Sequence, residues 1–225
     1  MRRLLLATRN AHKLEEVRRI LENAGTPVEL VDLDTAGITY DEAEEGLEPH
    51  DSFEKNAVSK ARYYHFQSGL PTVADDSGLV VDALAGAPGV RSKRFAPDPT
   101  GGPPLVGLDR DLANNAYLLD LLDRLSANTR SARFVCAAVL VRADGDDAIA
   151  IRMFRGEAEG LIADQPAGDG GFGYDPVFFD PELGCTFGEI PPDEKHARSH
   201  RGKAFRALAE YLAEHLDDVY PGVGS

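Results

Sequence analysis

TVADDSGLVV, Thr72 to Val81, is the stretch from which the fold is read. Thr72-Val73-Ala74 and Leu79-Val80-Val81 have the composition of buried strand, yet Asp75 and Asp76 stand side by side between them. Successive strand side chains point to opposite faces, so one carboxylate must face inward or into a cleft. A buried carboxylate without a partner is costly, and a fold retains one only against a cation, a donor or a metal. The stretch is accordingly expected to be two strands or a hairpin, Thr72–Ala74 and Leu79–Ala83, with the acids at a strand end.

Outward from this point, helices and strands alternate. Leu4–Ala7 reads as a strand, and a helix follows from about Ala11 to Ala24, with Leu14, Val17, Ile20 and Leu21 at three- and four-residue spacing and Gly25 as its stop. Val28–Leu33 is a second strand, and Thr39–Asp51 is an acidic loop. Asp51 or Ser52 caps a helix from Phe53 to Gln67. Ala96–Gly107, APDPTGGPPLVG, reads as a flexible loop, and Asp109–Leu125 as an amphipathic helix. A hairpin follows, with strands Arg133–Val141 and Ala148–Gly156 and a turn at 143–146. Asp164–Asp175 is glycine-rich, Pro176–Phe179 is a strand, and Gly202–Leu216 is a closing helix. The class is α/β with a mixed sheet.

The chain has 225 residues, 43% of them hydrophobic, and a net charge of −14. Such a surface repels a polyanion, which argues against wrapping nucleic acid, though a small anion can be met where cations are concentrated. No apolar run approaches the ~20 residues of a membrane span; MRRLLLAT has a basic pair and a short apolar run, but the polar TRNAHKLEEV that follows, with no small-residue cleavage site, argues against a signal peptide. Cys136 and Cys185 lie far apart without metal-ligand spacing, as in a reduced cytoplasmic protein.

Several clusters carry candidate chemistry. Thr8-Arg9-Asn10-Ala11-His12-Lys13 lies where strand passes into helix, and is either an anion cradle or an ordinary capped helix. GDGGFG, Gly168 to Gly173, matches a dinucleotide fingerprint, but Tyr174-Asp175-Pro176-Val177 follows instead of a helix, so that reading fails. With Phe172 to stack on a base and Asp175 to accept from a ring N–H, a ligand-facing loop is the better reading. Ser199-His200-Arg201-Gly202-Lys203, with Lys195, gathers cations. His196 and His200 lack a third ligand for zinc. Glu42, Glu44, Glu45 and the Asp75-Asp76 pair are hard oxygen donors of the kind that suits Mg²⁺; taken alone, the acidic run reads better as a solvated loop, the aspartate pair does not.

Six segments occur in order over nearly the whole chain: ATRNAHKLEE, SFEKNAVSKA, ADDSGLVVDALAGAPGVRSKRF, FVCAAVL, GDGGFGYDPVFF and EKHARSHRGKA. Together they resemble the inosine/xanthosine triphosphate pyrophosphatase family, which hydrolyses non-standard purine nucleoside triphosphates to monophosphate and pyrophosphate. The resemblance implies a single unit with an elongated mixed β-sheet flanked by helices, two lobes around a central substrate cleft, Mg²⁺ and a homodimer. By position it implies that Thr8, Arg9, Asn10, Ala11, His12 and Lys13 contact the triphosphate, assisted by Lys60. Asp76 is then the general base and a metal ligand with Glu45, Asp75 a supporting acid, and Ser77 a substrate contact. Phe172, Gly173, Tyr174, Asp175, Lys195, His200 and Arg201 surround the base and sugar-phosphate. The acidic loop is about three residues longer than the family's, which leaves Glu42, Glu44 and Glu45 as rivals for the metal. Arg201 and His200, donating to a 6-keto oxygen with Asp175 nearby, would mismatch adenine. Two other readings remain: a related pyrophosphatase acting on modified pyrimidine triphosphates, and a non-catalytic nucleotide sensor.

Overall fold

The computed structural model describes residues 2–125, 129–145 and 148–221. In chain order its elements are β1 (Arg3–Leu6), α1 (Ala11–Asn23), β2 (Glu29–Val31), α2 (Phe53–Ser68), β3 (Thr72–Val81), α3 (Gly107–Arg124), β4 (Ser131–Ala143), β5 (Ile149–Ile162), β6 (Phe178–Asp180), β7 (Cys185–Thr186), α4 (Pro192–Arg198), α5 (His200–Glu214) and α6 (Leu216–Val219). The strands hydrogen-bond in the order β2-β1-β3-β4-β5-β6-β7. β1 pairs parallel with β2 and β3, while β6 pairs antiparallel with β5 and β7, so the sheet is mixed. Among the described residues, no helix is long and apolar enough to cross a membrane.

The chain divides into two compact units, one of Met1–Asp76, Cys136–Gly156 and His200–Ser225, the other of Ser77–Val135 and Glu157–Ser199. In the first unit, strand alternation sorts the core into two layers. Leu4, Leu6, Val73, Cys136, Ala138 and Leu140 pack against α1 and α5. Leu5, Ala74, Val139 and Val141 pack with Ala57, Ala61 and Tyr64 of α2. In the second unit, Leu118 and Leu122 of α3 pack with Leu79, Val81, Phe134, Phe178 and Phe187. The rings of Phe134 and Phe178 lie 4.5 Å apart, close enough to add to area burial.

Four expectations need correction. Thr72–Val81 is one unbroken strand of ten residues, because both aspartates are partnered inside it and nothing forces a turn. Ala96–Gly107 is tied down rather than flexible: the buried Arg110 guanidinium donates to Ala96 O at 2.8 Å and Leu105 O at 3.2 Å and pairs with Asp98, and Asn114 Oδ1 accepts from Ala96 N at 2.9 Å. A 3₁₀ turn at Asp175–Val177 delays β6 to Phe178, consistent with Pro176 having no N–H for a ladder. α5 starts at His200, and α4, which the sequence reading missed, precedes it. The turn after β4 is closed by Asp144 N donating to Ala148 O; Asp146 lies outside the described residues.

Candidate functional site

The first unit gathers lysines over the two aspartates. β1 ends in buried chain, Thr8 Oγ1 accepts from Asn10 N at 3.1 Å, and Asn10 Oδ1 caps α1 by accepting from Lys13 N at 3.1 Å. This cap fixes the first turn of α1 and directs Lys13 towards β3, where its Nζ lies 2.9 Å from Asp75 Oδ2. Asp75 shares the strand face of Val73, the face covered by α1 and α5, while Asp76 shares that of Ala74, covered by α2. The pair is therefore split between two layers, yet both are buried, at 2% and 7% exposure.

On the α2 side, Phe53, Asn56, Ala57, Lys60, Ala61 and Tyr64 form a stripe at helical spacing. Asn56 Nδ2 donates to Asp76 Oδ2 at 3.0 Å and to His50 O at 3.2 Å, and Asn56 Oδ1 accepts from His50 N at 2.9 Å. Lys60 Nζ donates to the Asp75 carbonyl at 2.6 Å and to Glu48 Oε1 at 2.6 Å. On the α5 side, Arg201 pairs with Glu16 and brings Nε to 3.6 Å from Asp75 Oδ2. The start of α5 lies so close to β5 that a Cβ on Gly156 would meet His200 O at 2.1 Å, so only glycine fits there. His200 itself is buried.

These surroundings set opposite protonation tendencies. Burial would raise the Asp75 carboxyl, but Lys13, Arg201 and Lys60 outweigh it and hold the group well below the usual carboxylate range. For Asp76 burial dominates: Lys60 and Lys13 pull down, Glu48 pushes up, and the balance lies above the usual value. Lys60 is desolvated, which lowers it, but Glu48, Asp76 and Asp75 reverse that and raise it. One carboxylate is a permanent anion for the lysines, and its neighbour is a strained one suited to accepting a proton or a cation.

The expected cradle divides. Lys13 and Lys60 converge on the aspartates, whereas Arg9 turns away to bind Glu44 at 2.7 and 3.0 Å, Asp34 at 3.3 Å and Ile38 O at 3.1 Å. Ala11 and His12 lie exposed on the first turn of α1. The acidic segment forms a 3₁₀ turn, Glu42–Gly46, closed by a capping box between Asp41 and Glu44. Glu45 is exposed there and accepts from the Tyr40 hydroxyl at 3.1 Å.

The second unit carries Phe172 to Asp175, Lys195 and the half-buried Ser77. Asp175 Oδ2 accepts from Phe172 N at 2.8 Å and from Lys195 Nζ at 2.6 Å, and Lys195 Nζ also sits 5.0 Å from the Phe172 ring centroid. Gly171 has φ +72°, and a Cβ there would stand 2.1 Å from Asp175 Oδ2, so the turn requires glycine. Tyr174 is buried, its hydroxyl donating to Ser92 O at 2.9 Å. Gly173 N donates to Asp111 Oδ2 at 2.9 Å, and Asn115 Nδ2 donates to Gly173 O at 3.0 Å.

Sequence reasoning missed Asn56, Glu48, Glu16, Asp111 and Asn115. Asn56 had a usable signal, an amide on the apolar stripe of α2; Asp111 and Asn115 had only their i, i+4 spacing. Glu48 and Glu16 gave none.

Fold and site define an α/β protein that sets a lysine-crowned pair of buried acids at a strand centre and a glycine-turned aromatic loop elsewhere in the chain. The Ham1 family model matches residues 4–211. The chain is 46% identical over 214 residues to a dITP/XTP pyrophosphatase of Frankia alni, covering 95% of this chain and 98% of that protein. It is 45% identical over 212 residues to a dITP/XTP pyrophosphatase of Xanthomonas axonopodis, covering 94% and 98%. Among solved structures, it resembles a HAM1 protein from Coxiella burnetii with TM-score 0.78 and 36% identity, covering 95% of this chain and all of that one. The chain belongs to the Ham1 family.

Proposed function

We propose that this protein is a nucleoside triphosphate pyrophosphatase acting on non-standard purine nucleotides such as ITP, dITP and XTP, with Mg²⁺ as cofactor. The family membership and the names of its relatives support the reaction class. The single observation that carries the site assignment is the convergence of Lys13 and Lys60 on the Asp75–Asp76 pair.

Among the described residues no group of three or more acids, histidines or cysteines stands together for a metal, but Mg²⁺ is commonly held by only one or two protein carboxylates, with waters and phosphates completing its shell. Asp76 is a carboxylate that burial destabilises as an anion, and a cation beside it relieves that cost. Glu48, rather than Glu45, is the second acid we assign: both are exposed, but Glu48 shares Lys60 with the Asp75 backbone and acts on Asp76, whereas Glu45 is bonded to Tyr40. When bound, Mg²⁺ neutralises phosphate oxygens and polarises a water for in-line attack. Lys13, with three donors and one spent on Asp75, has capacity left for phosphate oxygens. Asp75, held ionised, keeps the Lys13 ammonium in place. Asp76, beside the attacking water, takes its proton. Attack at the α-phosphorus breaks the α–β anhydride bond and releases pyrophosphate.

The base is assigned to the second unit's loop. Phe172 stacks on the purine, and Asp175, already engaged by Lys195 and Phe172 N, acts by orienting the Lys195 ammonium towards a keto oxygen. Adenine presents an amino group there and leaves the cation unmatched. For the first unit, the resemblance supports substrate contacts by His200 and Arg201, and Arg201 braces Asp75. The resemblance further supports a cytoplasmic homodimer.

The test is product analysis with ITP, dITP, XTP, ATP and dTTP in the presence of Mg²⁺. The reading requires one pyrophosphate per monophosphate and turnover concentrated on the first three nucleotides. Orthophosphate with nucleoside diphosphate, or equal turnover on ATP, would refute it.

A further inference from the structure

The loop that carries Phe172 and Asp175 is held by a feature no part of the reaction uses. Gly173 sits between these two residues, and both polar groups of this glycine are taken by one face of α3. Its N–H donates to Asp111 Oδ2 at 2.9 Å, and its carbonyl accepts from Asn115 Nδ2 at 3.0 Å. Residues four apart on a helix lie on the same face, so the two side chains form a forked grip on a single residue of the loop. The adjacent Tyr174 adds a third tie through Ser92 O.

Asn115 is an unusual choice for packing alone. It is 4% exposed, and among the described residues its Oδ1 has no hydrogen-bond partner. A buried acceptor without a donor is destabilising, and a leucine of similar size would not incur that cost. What asparagine provides is the donor that fixes Gly173 O. Asp111 is matched to its task in the same way, because a carboxylate accepting from a backbone N–H makes a charge-assisted, directional bond.

We propose that Asp111 and Asn115 are positioning residues for the base-binding loop. They hold the Gly173 backbone so that the Phe172 ring and the Asp175–Lys195 pair keep the spacing a purine needs, and so set base selectivity without touching the nucleotide. This rests on the assignment of the 172–175 loop to the base.

The test compares Asp111→Ala, Asn115→Leu, the double variant and Asp111→Asn with the unmodified protein. Measured quantities are KM and kcat for ITP and ATP, calorimetric affinity for IMP, and thermal midpoint. Losing one such bond is expected to raise KM for ITP about 10-fold, to weaken IMP binding equally and to lower the ITP-to-ATP ratio of kcat/KM, with kcat for ITP held within about 3-fold. Asp111→Asn, whose Oδ1 can still accept from Gly173 N without the added charge, should recover most of what Asp111→Ala loses. The double variant should fall short of the product of the single effects, because both release the same loop residue. If Asp111→Ala does not fold, Asn115→Leu carries the test. Variants with lowered thermal midpoints but unchanged KM, IMP affinity and selectivity would overturn the proposal. Phe172→Ala separates the two readings. If it leaves IMP binding intact, the base-loop assignment falls and the clamp with it; if it weakens binding while the α3 variants do not, the clamp alone falls.

Discussion

Asp75→Asn isolates the electrostatic core of the first unit. Asp75 is 2% exposed and faces the Lys13 ammonium at 2.9 Å and the Arg201 guanidinium at 3.6 Å. The amide keeps the shape and still accepts from Lys13, but removes the anion that faces Arg201, which also pairs with Glu16. Breaking a buried ion pair by neutralising one partner costs about 3–5 kcal/mol. At ~2–4 °C per kcal/mol for a chain of this size, the thermal midpoint should fall by about 6–20 °C at pH 7. The pH dependence adds a second signature. The folded-state pKa of Asp75 is depressed, so its contribution is present above the unfolded value near ~3.9 and is lost as pH falls below it. The difference between native and variant should therefore stay constant from about pH 7 to 5 and shrink below about pH 4. Unfolding followed by circular dichroism across this range measures both. A midpoint change under ~1 °C at pH 7, or a difference that grows on acidification, would refute the network as described.

Asn56→Ala strips a donor from Asp76 and both bonds from the His50 backbone; stability should drop by about 2–4 kcal/mol in urea unfolding, and ITP turnover should fall roughly 10-fold or more. An active variant of native stability would show that Asn56 does not orient Asp76. Glu48→Gln should raise the Mg²⁺ concentration needed for half-maximal rate at least ~10-fold, as expected on losing a liganding carboxylate, while Glu45→Gln should leave it within about 2-fold. The reverse pattern would return the metal to Glu45.

Much of the fold was legible because the relevant signals are local. The i, i+3, i+4 spacing of Leu14, Val17, Ile20 and Leu21 marks α1, and Ser52 before Phe53 marks the start of α2; α1 ends at Asn23 and α2 is capped by Ser52. The unbroken course of β3 was not legible, since a pair of acids in an apolar run argues for a break unless the partners are known, and those partners come from positions 13, 56 and 60. The order of the Ala96–Gly107 segment depends on one buried arginine in the following helix, which local composition cannot reveal. The site was legible in part. Lys13, Lys60 and the aspartates do meet, but Arg9 is diverted to Glu44 and Arg201 is braced by Glu16. Such choices between competing acids are made by tertiary distance, and in a chain carrying 38 aspartates and glutamates the sequence offers too many candidates to resolve them.

In the proposed mechanism Asp76, and not its neighbour, takes the proton beside the cofactor. Single-turnover pyrophosphate release from ITP by Asp76→Asn, paired with ITP affinity measured in the same preparation, addresses it most directly. Turnover should fall by at least ~10²-fold, with affinity and thermal midpoint close to native. Near-native turnover in that variant would contradict it.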